Sequence, residues 1–281
     1  MSAPALAERR SNFFLGFLLL PKEKRQALSA VYSYCRLIDD IVDSGHLRSD
    51  EAGRMLDYWQ AEVDRLFAGT PTHSVSSRLL PWVSMFRLPR EPFLEMIRGC
   101  RMDLERRRYE TFAQLESYLQ GVACSVGALG VGIFGYAHTP KPRMEEFVRL
   151  FGYAFQMTNI IRDVGADLEI GRVYIPEEDM RQAGYSPQAL INRIHSPAFE
   201  RLMELEYDRT QTFYRRARNL VDFRDRPSLL PAEVMAHIYE GVLHDIKDTG
   251  FRVLFERKRL SRWRKLALAF KAWLYCQGIH L

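Results

Sequence analysis

The stretch LSAVYSYCRLIDDIVD, residues 28–43, carries the period of an amphipathic helix. Its apolar side chains mostly recur three or four residues apart, as one buried helical face requires. They are Leu28, Val31, Tyr32, Cys35, Ile38 and Val42. Similar patterns run through residues 51–67, 90–101, 111–134, 144–164, 197–220, 231–249 and 260–275. Because alternating strand patterns are scarce, the sequence predicts an all-α protein.

Turn-forming residues lie between these helical segments, in stretches such as 68–71, 137–140 and 183–187. No change of composition, long linker or internal repeat divides the 281 residues. We therefore predict a single all-helical domain over residues 1–281, with about eight to ten helices and short loops between antiparallel neighbours.

The charges nearly cancel, because 40 Lys and Arg against 35 Asp and Glu leave a formal net charge of +5. A charge balance this close to neutral does not predict a nucleic-acid binder. The four cysteines form no C-x-x-C pair, and we expect reduced thiols in a cytoplasmic protein. A functional site must therefore be sought in how the charges are placed.

A first polar cluster lies within the opening stretch, where Tyr32, Arg36, Asp39 and Asp43 fall on one helical face. Asp39 and Asp43 are four residues apart, so their carboxylates can converge on one cation. Like charges at this spacing repel each other without a counterion. One such pair is still more typical of a solvated surface than of a site.

A second cluster repeats the arrangement, with Gln156, Asn159, Asp163 and Asp167 on one face. The surrounding residues are apolar, so this polar stripe is hard to explain by solvation alone. We expect it to line a cavity. Two such clusters in one chain are much less typical of solvated surface than one.

Together the clusters indicate a magnesium and diphosphate site. Carboxylate and amide oxygens are ligands that suit Mg²⁺, which commonly bridges to substrate phosphates. Arg36, Arg162 and Arg172 have the forked shape that fits diphosphate oxygens. Beside an apolar bundle interior, these groups predict ionisation of an allylic diphosphate, with the carbocation kept away from water.

The strings YSYCRLIDDIVD and QMTNIIRDVGADLEIGRVYIP resemble the two aspartate-rich motifs of the squalene/phytoene synthase family. The resemblance runs from about Phe13 to Lys265. It implies an isoprenoid-synthase-type helical bundle with a central apolar cavity. It also implies a prenyl-group transferase that joins two identical isoprenyl diphosphates head to head.

The resemblance assigns roles position by position. The implied metal ligands are Asp39, Asp43, Asn159, Asp163 and Asp167. The implied diphosphate contacts are Arg36, Arg162, Arg172, Arg257 and Lys265. The implied pocket tyrosines, beside the reacting carbons, are Tyr32, Tyr174 and Tyr239. Core packing remains an equal alternative for Tyr239, and a solvated basic face remains one for Arg257 and Lys265.

One position departs from the family pattern. Many members place a tyrosine where this chain has Gln120, and that tyrosine is implicated in rearranging the cyclopropyl intermediate. Presqualene diphosphate synthases of the bacterial hopanoid pathway also depart from tyrosine there, and this chain resembles them elsewhere. The neighbouring residues Gly121, Ala123, Ser125, Gly127, Ala128 and Gly130 are small, which fits either room for a prenyl tail or close helix packing.

These features predict Mg²⁺-dependent condensation of two farnesyl diphosphates to presqualene diphosphate, with NADPH needed only if the reaction continues to squalene. The alternative within the family is phytoene synthase, acting on geranylgeranyl diphosphate. A chain-elongating prenyltransferase or terpene cyclase also fits the first motif, which reads D-D-x-x-D over residues 39–43. A non-catalytic assembly factor of the same fold is the alternative outside enzymes.

The two ends of the chain bear on membrane contact. The tail Leu260–Leu281 mixes basic and aromatic residues, so it fits either a helix in a membrane interface or a terminal helix docked on the bundle. Near the start, the apolar run Phe13–Leu20 predicts a buried helix end. No apolar run of about 18 residues occurs, and we expect no transmembrane anchor.

Overall fold

The computed structural model describes residues 20–43, 47–106 and 108–279, and within them every regular element is helical. The α-helices are α1 Lys22–Asp43, α2 Ser49–Phe67, α3 Ser74–Phe86, α4 Glu91–Glu105, α5 Phe112–Leu119, α6 Ser125–Phe134, α7 Lys141–Glu169, α8 Glu177–Ala183, α9 Pro187–Ile191, α10 Pro197–Arg218, α11 Leu230–Asp248 and α12 Arg262–Cys276. The all-α prediction is confirmed. Almost all of the run predicted as a buried helix end, Phe13–Leu20, lies outside the described residues.

Helix α3 has no counterpart among the predicted segments. Pro81 lies inside it, and an interior proline normally breaks a helix because it removes a hydrogen-bond donor. The His73 ring accepts a hydrogen bond from the Val75 amide at the start of the helix, and Arg87 closes it in a left-handed conformation. Packing against α1 and α2 buries its apolar side, which the local sequence does not reveal.

Helices α5 and α6 are continuous through a π-helical turn, Gln120–Cys124. There the chain crosses α4 at very short range: a Cβ atom added to Gly121 would lie 2.6 Å from the Gly99 Cα atom. Only glycine at both positions permits this approach. The close-packing interpretation of the small residues therefore holds for Gly121.

Helix α7, with 29 residues, packs against α10, α11, α6 and the π-helical turn. Helix α1 packs against α3, α4 and α6 on the other side of the bundle. Between these groups lies an apolar cavity of about 980 Å³, counting the space at its open mouth. The architecture is thus the predicted bundle around a central apolar cavity.

One helix in the described residues bears on the prediction that the chain has no transmembrane anchor. The continuous helix Phe112–Phe134 is long and apolar enough to cross a bilayer, and half of its most apolar window is buried inside the protein. It packs between α4 and α7 and lines the cavity. These contacts are those of a core helix.

Candidate active site

The two aspartate-rich motifs meet at one end of the bundle. Arg172, three residues beyond α7, hydrogen-bonds the Asp43 carboxylate, and its Nη2 atom donates to the Val42 carbonyl at 3.0 Å. Arg172 thus joins the end of α7 to the end of α1. The expectation that motifs 124 residues apart share one site agrees with this geometry.

On α1, Arg36 serves two carboxylates. Its Nη2 atom lies 2.6 Å from Asp40 Oδ1, and its Nη1 atom lies 3.4 Å from Asp39 Oδ2. Arg36 is therefore tied more closely to Asp40 than to the predicted ligand. Burial and the nearby charge of Asp43 raise the pKa of Asp39 to about 7. Asp39 is a carboxylate whose negative charge lacks full compensation.

On α7, Asp163 accepts hydrogen bonds from two arginines. Arg162 Nε lies 2.8 Å from Asp163 Oδ1, and Arg257 donates through Nε at 2.7 Å and Nη2 at 2.9 Å. Burial alone would raise the pKa of Asp163, but the bonds and charges of both arginines outweigh it and lower the pKa. Arg257 thus lies in the site rather than on a separate solvated face.

Lys265 belongs to the same cationic group. Burial lowers the pKa of the Lys265 ammonium, and so do the charges of Arg259 and Arg162. Mutual repulsion between neighbouring cations marks a place where an anion would be stabilised. The structure therefore places both Arg257 and Lys265 beside the second aspartate motif.

Asp167 resembles Asp39 in its electrostatics. Burial, followed by the charge of Asp163, raises the pKa of Asp167 to about 7, and Asp103 and Asp43 contribute in the same direction. Carboxylate oxygens whose negative charge is not compensated are suitable ligands for a divalent cation such as Mg²⁺. The described residues hold no ready-made group of three His, Cys, Asp or Glu ligands, in keeping with the pairing of Asp43 and Asp163 with arginines.

Asp103 on α4 was not among the predicted site residues. The Tyr174 hydroxyl donates to Asp103 Oδ1 at 2.8 Å, the Tyr118 hydroxyl donates to Oδ2 at 3.3 Å, and Arg172 Nη1 lies 3.9 Å away. Burial raises the pKa of Asp103 to about 6, against the opposing charge of Arg172. Tyr174 is thus directed towards a carboxylate outside the residues that line the cavity.

A sequence feature could have revealed Asp103. It continues the buried stripe formed by Phe93, Ile97 and Cys100 at helical spacing. An acidic residue on an apolar helix face is unusual unless it is paired. Sequence analysis could therefore have marked Asp103 as a buried acid, but not its partners Tyr118 and Tyr174.

The polar end of the cavity is lined by Tyr32, Gln156, Asn159 and Tyr239. The Tyr239 hydroxyl lies beside Arg162 and Asn159, which oppose the rise that burial causes in its pKa, and its ring meets Phe155 edge to face at 5.3 Å. The Asn159 amide donates to Gln156 Oε1 at 3.2 Å. Tyr239 therefore faces the cavity and contacts the second motif, so the packing alternative does not describe it fully.

The rest of the cavity is apolar. Along α7 the lining extends from Asn159 to Phe147, which spans about 18 Å at the rise of an α-helix. Ala123, Gly127 and Gly130 line its opposite wall, whereas Gly121 faces α4. Both interpretations of the small residues therefore apply. Some of them leave room in the cavity, and Gly121 allows close helix packing.

Gln120 begins the π-helical turn and lies outside the residues that line the cavity. Its side chain lies beside Glu95 of α4 and opposes the rise that burial causes in the pKa of that carboxyl. The aromatic residue nearest in sequence to this position is Tyr118, which with Tyr109 flanks Tyr174 at ring-centroid distances of 5.0 and 6.0 Å. An amide beside a carboxylate therefore stands at the position where the resemblance implies a tyrosine.

The family model for squalene/phytoene synthase matches residues 6–264. The chain belongs to the squalene/phytoene synthase family. It is therefore an enzyme that transfers prenyl groups, and its reaction is the head-to-head prenyl condensation of this family.

Individual relatives of this synthase agree. A 15-cis-phytoene synthase of Synechocystis sp. is 34% identical over 284 residues, which cover 96% of this chain and 83% of the relative. A solved dehydrosqualene synthase is 27% identical, with a TM-score of 0.85 and coverage of 98% and 95%. The squalene synthase HpnC from Alicyclobacillus acidocaldarius is 28% identical, with a TM-score of 0.77 and coverage of 85% and 89%.

The raised pKa of Asp167 predicts how the stability of the synthase depends on pH without magnesium. The folded chain holds a proton on Asp167 up to about pH 7, whereas the unfolded chain releases it near the ordinary value of 3.8. Stability therefore falls as pH rises between these values. We expect Asp167→Asn to melt about 2 to 4 °C higher than wild type at pH 8 in EDTA, and this difference to shrink as the pH is lowered towards 3.8.

The control for this melting experiment is Asp40→Asn on α1. The Asp40 carboxylate is exposed and is already paired with Arg36. Added Mg²⁺ should raise the melting temperature of wild type at pH 8 and change that of Asp167→Asn less. Asp39 is less suitable because its side chain is 40% exposed, and solvent screens its charge. An Asp167→Asn protein that melts lower than wild type at pH 8 would contradict the prediction.

Proposed function

We propose that the protein condenses two farnesyl diphosphates to presqualene diphosphate and releases one diphosphate and one proton. The observation that carries this proposal is that Arg172 joins the ends of the two aspartate helices and Arg257 pairs with Asp163, beside an apolar cavity whose lining includes Asn159 of the second motif. A charged cluster beside an apolar cavity fits a substrate with a charged diphosphate head and a hydrocarbon tail.

The predicted ligands Asp39, Asp43, Asn159, Asp163 and Asp167 would hold Mg²⁺, which acts as a Lewis acid on the leaving diphosphate. Arg172 and Arg257 are paired with Asp43 and Asp163 in the structure. We propose that these arginines, with Arg36, Arg162 and Lys265, turn from the carboxylates to the diphosphate when substrate binds. Each guanidinium then exchanges one anionic partner for another.

The chemistry begins when the bond between C1 and oxygen of one farnesyl diphosphate breaks and diphosphate leaves with the electron pair. A double bond of the second farnesyl diphosphate attacks C1, and loss of a proton closes the cyclopropane. Tyr32, Tyr239 and Phe155 present aromatic faces to this part of the cavity, where they would stabilise positive charge. The released diphosphate and a pocket tyrosine are both possible acceptors of the proton.

The position of Gln120 supports a reaction that ends at presqualene diphosphate. Rearrangement of the cyclopropyl product to squalene needs a second ionisation and, for squalene, hydride from NADPH. At the position implicated in that step, this chain has an amide that lies beside Glu95 and outside the cavity lining. We infer that the second half-reaction is slow or absent.

A second candidate is the condensation of geranylgeranyl diphosphate towards phytoene. It is favoured by the relatives at 30 to 34% identity, which are named phytoene synthases. The two candidates share every step at the aspartates and differ in the length of the tail. The aromatic residues Phe134 and Phe147 at the far end of the cavity would set that length.

One incubation series tests these proposals. Purified protein with Mg²⁺ receives farnesyl or geranylgeranyl diphosphate, each with and without NADPH, and the lipid is identified by mass spectrometry. We expect presqualene diphosphate from farnesyl diphosphate, unchanged by NADPH. Squalene would overturn the inference from Gln120, and phytoene as the main product would establish the second candidate.

Two further measurements in this series test whether the protein is a chain-elongating enzyme or a non-catalytic assembly factor. Isopentenyl diphosphate is added as a co-substrate, because an elongated prenyl diphosphate would indicate a chain-elongating enzyme. Release of inorganic diphosphate is measured with every substrate. A chain that releases none from any prenyl diphosphate, with or without Mg²⁺, would favour the non-catalytic assembly factor.

A further inference from the structure

Helix α12 carries a continuous stripe of exposed apolar side chains, which we call the aromatic stripe: Trp263, Leu266, Phe270 and Trp273. Successive members are three, four and three residues apart, so they lie on one face of the helix. Their exposed fractions are 74, 40, 58 and 41%. From Trp263 to Trp273 the stripe extends about 15 Å along the helix.

The stripe is not needed to attach α12 to the bundle. The opposite face of the helix carries Leu268 and Ala272, and Leu268 packs over Gly241 of α11; Leu274 and Cys276 are also buried. Tyr275 also receives the guanidinium of Arg226, 4.6 Å above its ring. Helix α12 therefore has two apolar faces, of which only one is used within the described chain.

The charge carried by α12 itself has a single sign, and of its basic residues Arg264 is paired with Asp245 of α11. From Arg257 to Leu281 the sequence contains seven basic residues and no acidic residue. Arg262 and Lys271 are exposed on either side of the stripe, and the Arg262 guanidinium lies 5.4 Å from the Trp263 ring. Exposed tryptophans flanked by cations are the residues that place a helix in the headgroup region of an anionic bilayer.

We propose that the aromatic stripe of α12 docks the protein on the surface of an anionic membrane. A second copy of the chain fits less well, because a twofold interface would place the basic flanks of both copies against each other. Negatively charged headgroups instead complement those flanks. The helix would lie in the interface with its aromatic side chains among the headgroups and its other face on α11.

This position has a consequence for the site. Helix α12 begins next to the cationic group, since the charge of Arg162 lowers the pKa of Lys265 in its first turn. The site therefore lies near the first turn of the helix that carries the stripe, with Lys265 on a different face of α12 from the stripe. The inference extends the proposed function but does not depend on it, because membrane binding is measured without substrate.

Vesicle binding tests the proposal directly. The full chain is mixed with phosphatidylcholine vesicles that contain or lack phosphatidylglycerol, and co-flotation is measured at low and high salt. We expect binding only with phosphatidylglycerol, weakened by salt. Trp263→Ser combined with Phe270→Ser should reduce the partition coefficient about tenfold or more. The matched control is Met85→Ser, because Met85 is 58% exposed on α3.

Tryptophan fluorescence identifies the face that binds. The four tryptophans are Trp59, Trp82, Trp263 and Trp273, of which Trp59 is buried. Vesicles should shift the emission to shorter wavelength in wild type and in Trp82→Phe, but not in the double variant Trp263→Phe with Trp273→Phe. An unaltered flotation profile of the Trp263→Ser, Phe270→Ser variant would overturn the proposal. So would a stripe-dependent dimer in light scattering without vesicle binding.

Discussion

Asp39→Asn is expected to lower the turnover number of the condensation by about 10³-fold while leaving the helix content unchanged. Asparagine keeps the size of the side chain but removes a negative charge at the place where a divalent cation and diphosphate would meet. Burial and the charge of Asp43 raise the pKa of Asp39 to about 7. A cation bound beside Asp39 would therefore stabilise its ionised form. Release of inorganic diphosphate from farnesyl diphosphate measures the effect.

The chain supplies its own control in the adjacent residue. Asp40 is also on α1, is also paired with Arg36 and is 48% exposed, against 40% for Asp39. Asp40 is outside the predicted face, so Asp40→Asn should change turnover less than about threefold. Equal losses in both variants would show that α1 charge in general, rather than the face with Asp39 and Asp43, supports the reaction.

Asp163→Asn is expected to be as damaging as Asp39→Asn, but for two reasons that must be separated. The variant loses a predicted metal ligand, and it also leaves Arg162 and Arg257 without their shared carboxylate. Activity measured against magnesium concentration distinguishes them, because a lost ligand raises the concentration needed. A fully active Asp163→Asn protein would remove the second motif from the proposed site.

The largest expected effect on stability comes from Gly121→Ala. The new Cβ atom would lie 2.6 Å from Gly99 Cα and 2.9 Å from Gly99 N, both backbone atoms that cannot rotate away. Helix α4 and the π-helical turn must then separate along their crossing. We expect a loss of about 2 to 3 kcal/mol in the free energy of unfolding, measured by urea denaturation.

The same substitution at Gly130 is the matched control. Gly130 lies in α6 of the same continuous helix, and a Cβ atom there meets only the Phe134 ring at 3.5 Å, an ordinary contact. Alanine favours the helix more than glycine, so Gly130→Ala should be neutral or stabilising by up to about 1 kcal/mol. A Gly121→Ala protein as stable as Gly130→Ala would show that the crossing is not tightly packed.

The parts of the site that follow from helical periodicity were predictable. The faces with Asp39 and Asp43, and with Asn159, Asp163 and Asp167, depend on local spacing, because residues three or four apart share a helix face wherever the helix lies. The predicted cavity agrees with the structure for a similar reason, since the second polar face is surrounded by apolar residues. By contrast, α3 was missed because Pro81 disfavours a helix locally, and packing against α1 and α2 outweighs that preference.

The sequence by itself determined most of the helices, though not α3, α8 or α9, together with the two polar faces and the family to which these motifs point. Only the tertiary structure decided which charges meet: Arg172 with Asp43, 129 residues apart, and Arg257 with Asp163, 94 residues apart. It also decided that Tyr174 turns to Asp103. The physical reason is range, because helical spacing relates only near neighbours, whereas a pairing between distant residues depends on how whole helices pack and which groups burial leaves uncompensated.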